Sequence, residues 1–367
     1  MKKTEKKNPA ARVIKFILSI ILILAICFGI FLLVGTAKEW KPDKIEKAEA
    51  TYSNGKNTGT KNMVMGKEYS ILSYNTGYGG LGEGEDFFLD GGKGIMPESK
   101  EVVEKNLSGI ANIVKDQNAD FNCMQEIDIL SKRSHNTHQR KFYDEALGGN
   151  SSYADNFKVF YVPYPLKKNT GKVRAGLYTE SEYNMGQGTR VSLPVPFKWP
   201  VRLFNLKRCL LVNRVPIEGT DKEFVLVNLH LEAYDDGSGK TAQTDALMKF
   251  ADKEYKKGNY VIACGDWNQS FYTDKDVFKM PVEDELWKPS DIEINDKYSN
   301  WQLVFDKRVP SCRLDNQPYT VQNEKTYHYL IDGYLVSPNV DVKKVETLDK
   351  GFKYTDHNPV RCEFKLK

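Results

Sequence analysis

The stretch from residue 260 to residue 268 constrains the fold most, because it joins an apolar strand directly to polar side chains. Residues 260–264 read YVIAC, and such a short run of small and apolar residues is typical of a buried strand. The run ends at Gly265, where the backbone can turn freely, and Asp266 and Asn268 follow. Strand alternation directs both polar side chains the same way, off the end of the sheet. This arrangement predicts a position that holds a water, a phosphate oxygen or a metal ion.

The N-terminal region predicts a membrane anchor. Residues 1–15 are basic, and residues 16–34 read FILSIILILAICFGIFLLV, an uncharged run long enough to span a bilayer as a helix. The basic flank is expected to stay in the cytoplasm, which places the chain after Val34 outside the cell membrane. The alternative is a secreted protein whose signal peptide is cleaved at residues 35–37. We favour a retained single span, because the apolar run is longer than the core of a usual signal peptide.

The net positive charge of the chain comes from its N-terminal leader, residues 1–15. The whole sequence carries +4, but residues 1–15 hold six basic residues and one acid. The remaining 47 basic and 48 acidic residues leave a net charge of −1. A protein that grips nucleic acid through its phosphates has a broad basic face, and this balance does not favour one.

The rest of the chain predicts a linker followed by one domain. Residues 35–66 are polar, charged and rich in Gly, Asn and Thr, which is typical of a tether. Residues 67–367 are about 300 residues, enough to bury a substantial core, and they contain no second linker. Cys27 lies in the apolar run. The other five cysteines show no zinc-site spacing, so we expect them to be reduced and buried.

Apolar patterns predict mixed sheets covered by helices. Helical spacing is found at 98–116 and 241–255, and strand-like runs at 69–74, 119–125, 159–161, 175–179, 209–215, 224–231, 260–264, 329–336 and 360–364. Strands and helices alternate only in parts of this order, with hairpin-like pairs between them. The fold class is therefore α/β, with mixed sheets packed together and helices outside.

Polar side chains recur where the predicted strands stop. They are Asn75, Glu126, His230, Asp266, Asn268, Asp332, Asp356 and His357. Taken singly, Asn75 is explained as a turn cap, Glu126 as a solvated strand end and His230 as a core histidine. Asp332 lies in an otherwise apolar strand, where a carboxylate without a partner is costly. Together these residues indicate a site, because α/β folds bind ligands at the ends of their strands.

Seven segments carry these residues in the order SYNTGYG, MQEID, RAGLYTES, VNLHLEA, ACGDWNQS, YLIDGYLVS and TDHNPV. In order and wording they resemble the endonuclease/exonuclease/phosphatase family over about residues 67–367. The resemblance implies a four-layered α/β sandwich of two mixed sheets. It also implies hydrolysis of phosphoester bonds with Mg²⁺, or alternatively Mn²⁺. His230 matches a histidine of the deoxyribonuclease and sphingomyelinase branches.

The resemblance implies a set of metal ligands. Glu126 is implied as the principal Mg²⁺ ligand, with Asn75 beside it and Asp356 completing the metal side. The chemistry agrees with such a set, because a phosphodiester is anionic and repels hydroxide. A hard cation held by oxygen ligands neutralises that charge.

The resemblance places the catalytic roles on five residues. Asp266 is implied to orient and deprotonate the attacking water, and Asn268 to hold that water or a phosphate oxygen. Asp332 is implied to fix the ring of His357 and to favour its charged form. His230 is implied to contact the phosphate or the leaving group. The sequence contains no serine or cysteine nucleophile motif that competes with this set.

Charge and location favour one substrate class over another. A nearly neutral domain tethered to a membrane favours a lipid headgroup or a small phosphodiester. The alternative is a surface nuclease acting on DNA or RNA, and a further alternative is a silent binding module of the same fold. Residues 197–208 mix aromatic and cationic side chains, and are either an ordinary surface loop or a contact for headgroups. Arg133, His138 and Arg140 are left without a role, and no protein partner is evident.

Overall fold

The structure, a computed structural model, describes residues 9–53, 61–235, 237–271, 277–319 and 326–367. Within these residues the α-helices are α1 (Pro9–Ala37), α2 (Lys100–Gln117), α3 (Gln139–Leu147) and α4 (Ser238–Tyr255). The strands are β1 (Ile45–Lys47), β2 (Glu49–Thr51), β3 (Glu68–Asn75), β4 (Phe121–Asp128), β5 (Asn150–Val162), β6 (Gly171–Ser181), β7 (Thr189–Ser192), β8 (Cys209–Pro216), β9 (Glu223–His230), β10 (Tyr260–Asp266), β11 (Gln269–Ser270), β12 (Ser290–Asp291), β13 (Gln302–Val304), β14 (Cys312–Arg313), β15 (His328–Tyr329), β16 (Asp332–Val336), β17 (Val340–Thr347) and β18 (Val360–Leu366).

Most of these strands belong to two seven-stranded mixed sheets. Sheet A has the order β1-β7-β8-β9-β10-β16-β13, and sheet B has the order β17-β18-β3-β4-β6-β5-β2. Each sheet has one parallel pair near its centre, β9 with β10 in sheet A and β3 with β4 in sheet B. Because parallel strands end at the same edge of a sheet, the polar residues at the ends of β3, β9 and β10 and near the end of β4 are brought together.

The two sheets pack face to face, and helices cover their outer faces. The cluster between the sheets takes Phe121 from sheet B and Phe224 from sheet A. On the outer face of sheet A, α4 contributes Leu247 to a second cluster. On the outer face of sheet B, α2 contributes Val103 and α3 contributes Tyr143 to a third. The predicted four-layered sandwich of two mixed sheets with helices outside is therefore confirmed.

Buried amides join the two sheets close to the strand ends. The side-chain nitrogen of Asn228 on β9 donates to the carbonyl oxygens of Met124 at 3.1 Å and Tyr178 at 2.9 Å. Its oxygen accepts from Nε2 of Gln125 on β4 at 2.8 Å. Hydrogen bonds in a low-dielectric interior are strong and demand a unique geometry, so this network fixes the position of one sheet against the other.

The N-terminal region contains the apolar helix and also two strands. α1 is long and apolar enough to cross a membrane, a property that the helix of a signal sequence shares. Residues 45–51 lie inside the predicted linker but form β1 and β2, which are edge strands of sheet A and sheet B. Met63 is fully buried between the sheets. The structure therefore places the start of the packed domain well before residue 67.

The predicted strand at 329–336 is interrupted in the structure. β15 ends at Tyr329 and β16 begins at Asp332, so Asp332 lies at the start of a strand and not inside one. The break is held by Ser311, whose Oγ accepts from the backbone nitrogens of Ile331 at 3.0 Å and Asp332 at 3.1 Å. All six cysteines are free, and the five outside α1 are buried.

Candidate active site

Asp266 is the last residue of β10 and lies at the centre of the polar cluster. Its Oδ1 accepts from the backbone nitrogen of Asn268 at 2.8 Å, and its Oδ2 accepts from the amide nitrogen of Asn75 at 2.9 Å. Burial raises the pKa of Asp266 to about 7; the charge of His357 opposes this shift and the carboxylate of Asp332 adds to it. Asn75 belongs to sheet B, so this hydrogen bond ties the two sheets together at the site.

Glu126 lies inside β4, two residues before its end, at a local irregularity of the strand. The pairing of β4 with β6 shifts register at this point, and Glu126 has a φ of 60°. Residues other than glycine rarely take this conformation, and a bulge beside a site redirects a side chain. Oε1 of Glu126 is thereby brought to 3.4 Å from Nδ2 of Asn75. Burial raises the pKa of Glu126; Arg133 opposes that shift and Asp356 adds to it.

His357 and Asp332 form a buried pair. Nδ1 of His357 lies 2.8 Å from Oδ2 of Asp332. Burial opposes the charged ring, but the carboxylate of Asp332, together with Cys312 and Asp356, more than offsets burial, so the pKa of His357 is raised well above its ordinary value. Nε2 faces the cluster, 3.3 Å from the amide nitrogen of Asn75 and 3.7 Å from Oδ2 of Asp266. The charged ring therefore presents an N–H donor to the centre of the site.

His230 ends β9 and lies opposite Asp266 in the pairing of β9 with β10. Its Nε2 lies 3.4 Å from Oδ2 of Asp266. Burial, and then the charge of Arg208, lower the pKa of His230 well below its ordinary value, so the ring is neutral. Asn268 takes a left-handed backbone conformation with φ of 49°, and its amide donates to the carbonyl oxygen of Leu231 at 2.9 Å.

The metal site that the family resemblance implies contains the carboxylates of Glu126 and Asp356 and the amide of Asn75. Oδ1 of Asp356 accepts from Oγ1 of Thr355 at 3.1 Å. The side-chain oxygen of Asn75 accepts from the backbone nitrogen of Gly77 at 3.0 Å, so its amide nitrogen faces the carboxylates. Asp356 raises the pKa of Glu126, which means that the two carboxylates repel each other across the site. A pair of repelling carboxylates fits a hard divalent cation.

The structure brings all eight sequence-predicted residues together. Six of them line one cavity, namely Glu126, His230, Asp266, Asn268, Asp356 and His357. Asn75 and Asp332 lie behind this layer and contact it through Asp266 and His357.

Comparison with solved structures places this arrangement in a known fold. An endonuclease/exonuclease/phosphatase from Beutenbergia cavernae DSM 12333 matches with a TM-score of 0.55 and 15% identity, covering 82% of this chain and 72% of that one. An endonuclease/exonuclease/phosphatase from Bacteroides vulgatus matches with a TM-score of 0.50 and 15% identity, covering 82% and 100%. The chain has the endonuclease/exonuclease/phosphatase fold.

The same fold is found in a functionally unknown conserved protein from Enterococcus faecalis V583, with a TM-score of 0.50, 13% identity and coverage of 81% and 100%. No protein-family model and no curated protein matches the sequence. The resemblance seen in the seven segments is thus confirmed at the level of the endonuclease/exonuclease/phosphatase fold.

In this endonuclease/exonuclease/phosphatase fold the strand ends open into a cavity of about 480 Å³. Its floor is formed by the polar residues described above. Its mouth is apolar and includes Phe88, Tyr164, Val201 and Phe204. The rings of Phe88 and Tyr164 approach to 5.5 Å between centroids, which joins the glycine-rich loop after β3 to the segment between β5 and β6.

Sequence reasoning placed Arg208 in a segment that could contact headgroups and not among the active-site residues, but it lines the same cavity. This side chain is 4% exposed, and its Nε and Nη1 have no hydrogen-bond partner among the residues described. Glu232 is the nearest carboxylate, with Oε2 at 3.7 Å from Nε, beyond hydrogen-bond distance. The available signal was its place directly before the predicted strand 209–215, but the surrounding mixture of aromatic and cationic residues did not distinguish it.

The three residues left without a role have different positions. Arg133 lines the cavity, donates to both carboxylate oxygens of Asp128 at 3.1 and 3.0 Å, and lies 3.7 Å from Glu126. His138 caps α3, and Arg140 pairs with a carboxylate of β2. Only Arg133 of the three is therefore placed to act on a ligand in the cavity.

Proposed function

We propose that this chain is a metal-dependent phosphoric ester hydrolase that acts on phosphodiesters. The observation that carries the proposal is the buried contact network of Asp266, Asn75 and His357 on the floor of a cavity. Three arginines, Arg133, Arg208 and Arg313, also line this cavity. A carboxylate base, a charged imidazole and fixed cations are the groups that hydrolysis of an anionic ester requires.

Asp266 is the proposed base. Its raised pKa keeps it able to accept a proton from a water near neutral pH. Hydrogen bonds from Asn75 and from the backbone of Asn268 fix the carboxylate in place. His357, held by Asp332, donates its Nε2–H to a phosphate oxygen as negative charge develops there.

Arg208, Arg133 and His230 are proposed to bind the phosphate. The two unpartnered nitrogens of Arg208 are free to donate to phosphate oxygens. Arg133 adds positive charge beside Glu126. His230 is neutral, and its unpartnered Nδ1 is placed to contact the phosphate or the leaving group.

A divalent cation completes this proposal. Glu126 and Asp356 would hold it through carboxylate oxygens, which suit Mg²⁺ or Mn²⁺. Asn75 would act beside the ion, because its side-chain oxygen accepts from the backbone nitrogen of Gly77. The bound ion would neutralise the charge of the phosphate and polarise it towards attack.

The substrate is proposed to be a lipid headgroup or a small phosphodiester outside the cytoplasmic membrane. The charge of −1 outside the leader and the apolar helix α1 support this class. A surface nuclease acting on DNA or RNA is the second candidate, and it is favoured by the arginines in the cavity. A silent binding module is the third; it is opposed by the complete set of eight polar groups.

The experiment uses the full-length protein in detergent with bis-p-nitrophenyl phosphate, in the presence of Mg²⁺, Mn²⁺ or EDTA. We expect turnover only with metal, and a loss of roughly 100-fold or more in Glu126→Gln and in His357→Ala. Glu104→Gln, an exposed site on α2, is the matched control. Calorimetric titration with Mg²⁺ should show weaker binding to Glu126→Gln only. Full turnover in EDTA, or parental rates in both site variants, would contradict the proposal.

A further inference from the structure

The last turns of α1 pack against the domain. The ring of Phe31 stacks on Phe204, with centroids 5.1 Å apart and planes at 9°. A Cβ added to Gly35 would lie 3.2 Å from the ring of Phe204, so helix and domain are in close contact. Nε1 of Trp199 donates to Oγ1 of Thr36 at 3.1 Å. α1 therefore ends directly against residues 199–204.

A buried ion pair holds the chain immediately after α1. One carboxylate oxygen of Glu39 lies 2.6 Å from Nζ of Lys207 and 3.2 Å from Nε of Arg202. The Glu39 side chain is only 3% exposed. The segment that carries Arg202 and Lys207 thus contacts both the end of α1 and the residues that follow it, which fixes the direction in which the helix leaves the domain.

If α1 spans a membrane, its contacts with the domain determine how far the mouth of the cavity lies from the lipid surface. Phe31 lies three residues before Val34, the end of the apolar run, which corresponds to about 4–5 Å along a helix. With α1 inserted in a bilayer, Phe204 and Tyr161, whose rings lie 5.1 and 6.4 Å from that of Phe31, lie near the boundary between headgroups and hydrocarbon. Phe204 also lines the cavity. Phe204 thus belongs both to the wall of the cavity and to the contact with the end of the helix.

The rim around this wall is apolar and exposed. Exposed fractions are 57% for Tyr164, 86% for Leu166, 52% for Trp199 and 55% for Val201. Tyr164 and Val201 line the mouth of the cavity. Exposed apolar patches on otherwise polar surfaces mark interaction sites, and aromatic residues are enriched at membrane interfaces. The position of α1 indicates that a lipid surface covers this patch. When the helix is inserted in a bilayer, its end brings the apolar rim of the cavity against the lipid surface.

We propose that the substrate is a membrane lipid whose headgroup is joined by a phosphoester, and that it enters the cavity from the leaflet that holds the end of α1. The inference rests on the proposed phosphoester hydrolysis and on insertion of α1. The headgroup phosphate reaches Arg208 and the polar floor, while the lipid portion stays at the apolar mouth. Hydrolysis adds water across one P–O bond, so the phosphorus gains a hydroxyl group and the alcohol leaves with a proton.

The test uses the full chain reconstituted in vesicles of phosphatidylcholine, phosphatidylethanolamine, phosphatidylglycerol and sphingomyelin in equal parts. Products are followed by mass spectrometry, with bis-p-nitrophenyl phosphate and plasmid DNA as parallel substrates. Leu166→Glu places a charge on the rim without touching the cavity lining. Val64→Glu is the matched control, because Val64 is 43% exposed and precedes β3, at the end opposite Asn75.

We expect Leu166→Glu to lower lipid hydrolysis roughly tenfold or more and to leave hydrolysis of the soluble diester unchanged. Val64→Glu should change neither rate. Equal lipid hydrolysis in Leu166→Glu and the parent would overturn the inference. So would turnover of the soluble diester or of plasmid without any lipid product, which leaves the proposed hydrolase standing. Absence of turnover on every phosphoester would overturn the proposed function itself.

Discussion

At the scale of single residues, unpartnered buried nitrogens mark where a ligand is needed. Nε and Nη1 of Arg208 and Nδ1 of His230 are buried beside the cavity without hydrogen-bond partners among the described residues. Buried polar groups in proteins are almost always hydrogen-bonded, so these three atoms require an acceptor or donor that the described part of the chain does not supply. An anionic phosphate matches the guanidinium in charge and in geometry.

Arg208→Gln should weaken phosphodiester hydrolysis. The variant loses a charge-assisted hydrogen bond, which contributes about 1.5–3 kcal/mol, so kcat/KM is expected to fall by roughly 10- to 100-fold. Steady-state kinetics with bis-p-nitrophenyl phosphate provide the measurement. Arg308→Gln, at a side chain 70% exposed, is the control and should keep the parental rate. An unchanged kcat/KM in Arg208→Gln would show that this arginine has a structural role only.

The buried acid Asp90 makes the free energy of unfolding depend on pH. Burial raises the pKa of Asp90 to about 6, although the hydroxyl of Tyr234 donates to it at 2.8 Å. The unfolded carboxyl has an ordinary pKa of 3.8. Between these two values the native state binds more protons than the unfolded state, so the free energy of unfolding falls as pH rises from about 4 to about 6.

Asp90→Asn removes this titration. Relative to the parent, the variant should gain about 1–3 kcal/mol in the free energy of unfolding between pH 4.5 and pH 7.5. Urea unfolding of residues 38–367, which lack α1, gives the measurement at both pH values. Asp284→Asn, at a fully exposed side chain, should show no such difference. The idea is wrong if the difference between Asp90→Asn and the parent is the same at both pH values.

At the scale of elements, the segment after α1 adds one edge strand to each of the two sheets and so connects them. β1 pairs with β7 at the edge of sheet A, and β2 pairs with β5 at the edge of sheet B. Burial raises the pKa of Glu39, but its pairing with Lys207 and Arg202 more than offsets burial and leaves the pKa lowered. The carboxylate of Glu39 is therefore stabilised in its charged form where this segment begins.

Glu39→Gln should destabilise the folded domain. It leaves the largely buried ammonium of Lys207 without its carboxylate, and breaking a buried pair is costly, although the partial exposure of Arg202 reduces the loss to about 2 kcal/mol. Urea unfolding of residues 38–367 at pH 7 is the measurement. Lys41→Gln is the control, because Lys41 is 65% exposed and should change stability by less than about 0.5 kcal/mol. Equal effects of the two substitutions would argue against the buried pair.

At the scale of the whole molecule, the packed unit begins near residue 38. A fragment of residues 67–367 lacks β1, β2 and the buried side chains of Ala48 and Met63. Loss of a buried methionine alone costs about 2–5 kcal/mol, and both sheets would expose an unpaired strand edge. We expect residues 38–367 to be monomeric, and residues 67–367 to unfold at lower urea concentration and to aggregate. Gel filtration and urea titration compare the two, and equal midpoints would contradict the placement of the N-terminal strands.

The sequence alone predicted mixed sheets covered by helices, and it predicted the polar residues that the structure brings together near the strand ends. Strand periodicity is local, so runs such as 260–264 were readable, and so was the polar group that follows each run. Asp332 was notable because an isolated buried carboxylate is unfavourable, and His357 is the partner that offsets this cost in the structure. Residues 16–34 were equally readable, because an uncharged run of this length has few places in a folded protein.

Only the tertiary structure revealed the features that depend on contacts between segments far apart in the sequence. β1 and β2 have three residues each, too few for a periodic signal, and exist because strands 100 to 146 residues away offer them an edge. The sequence placed Arg208 in a segment that could contact headgroups, and only the structure shows its nitrogens buried beside the cavity without hydrogen-bond partners among the described residues. Thr36 and Trp199 are 163 residues apart, and no local pattern shows that the end of α1 meets the mouth of the cavity. Such contacts arise from the packing of whole elements, whereas periodicity records only the environment of each element.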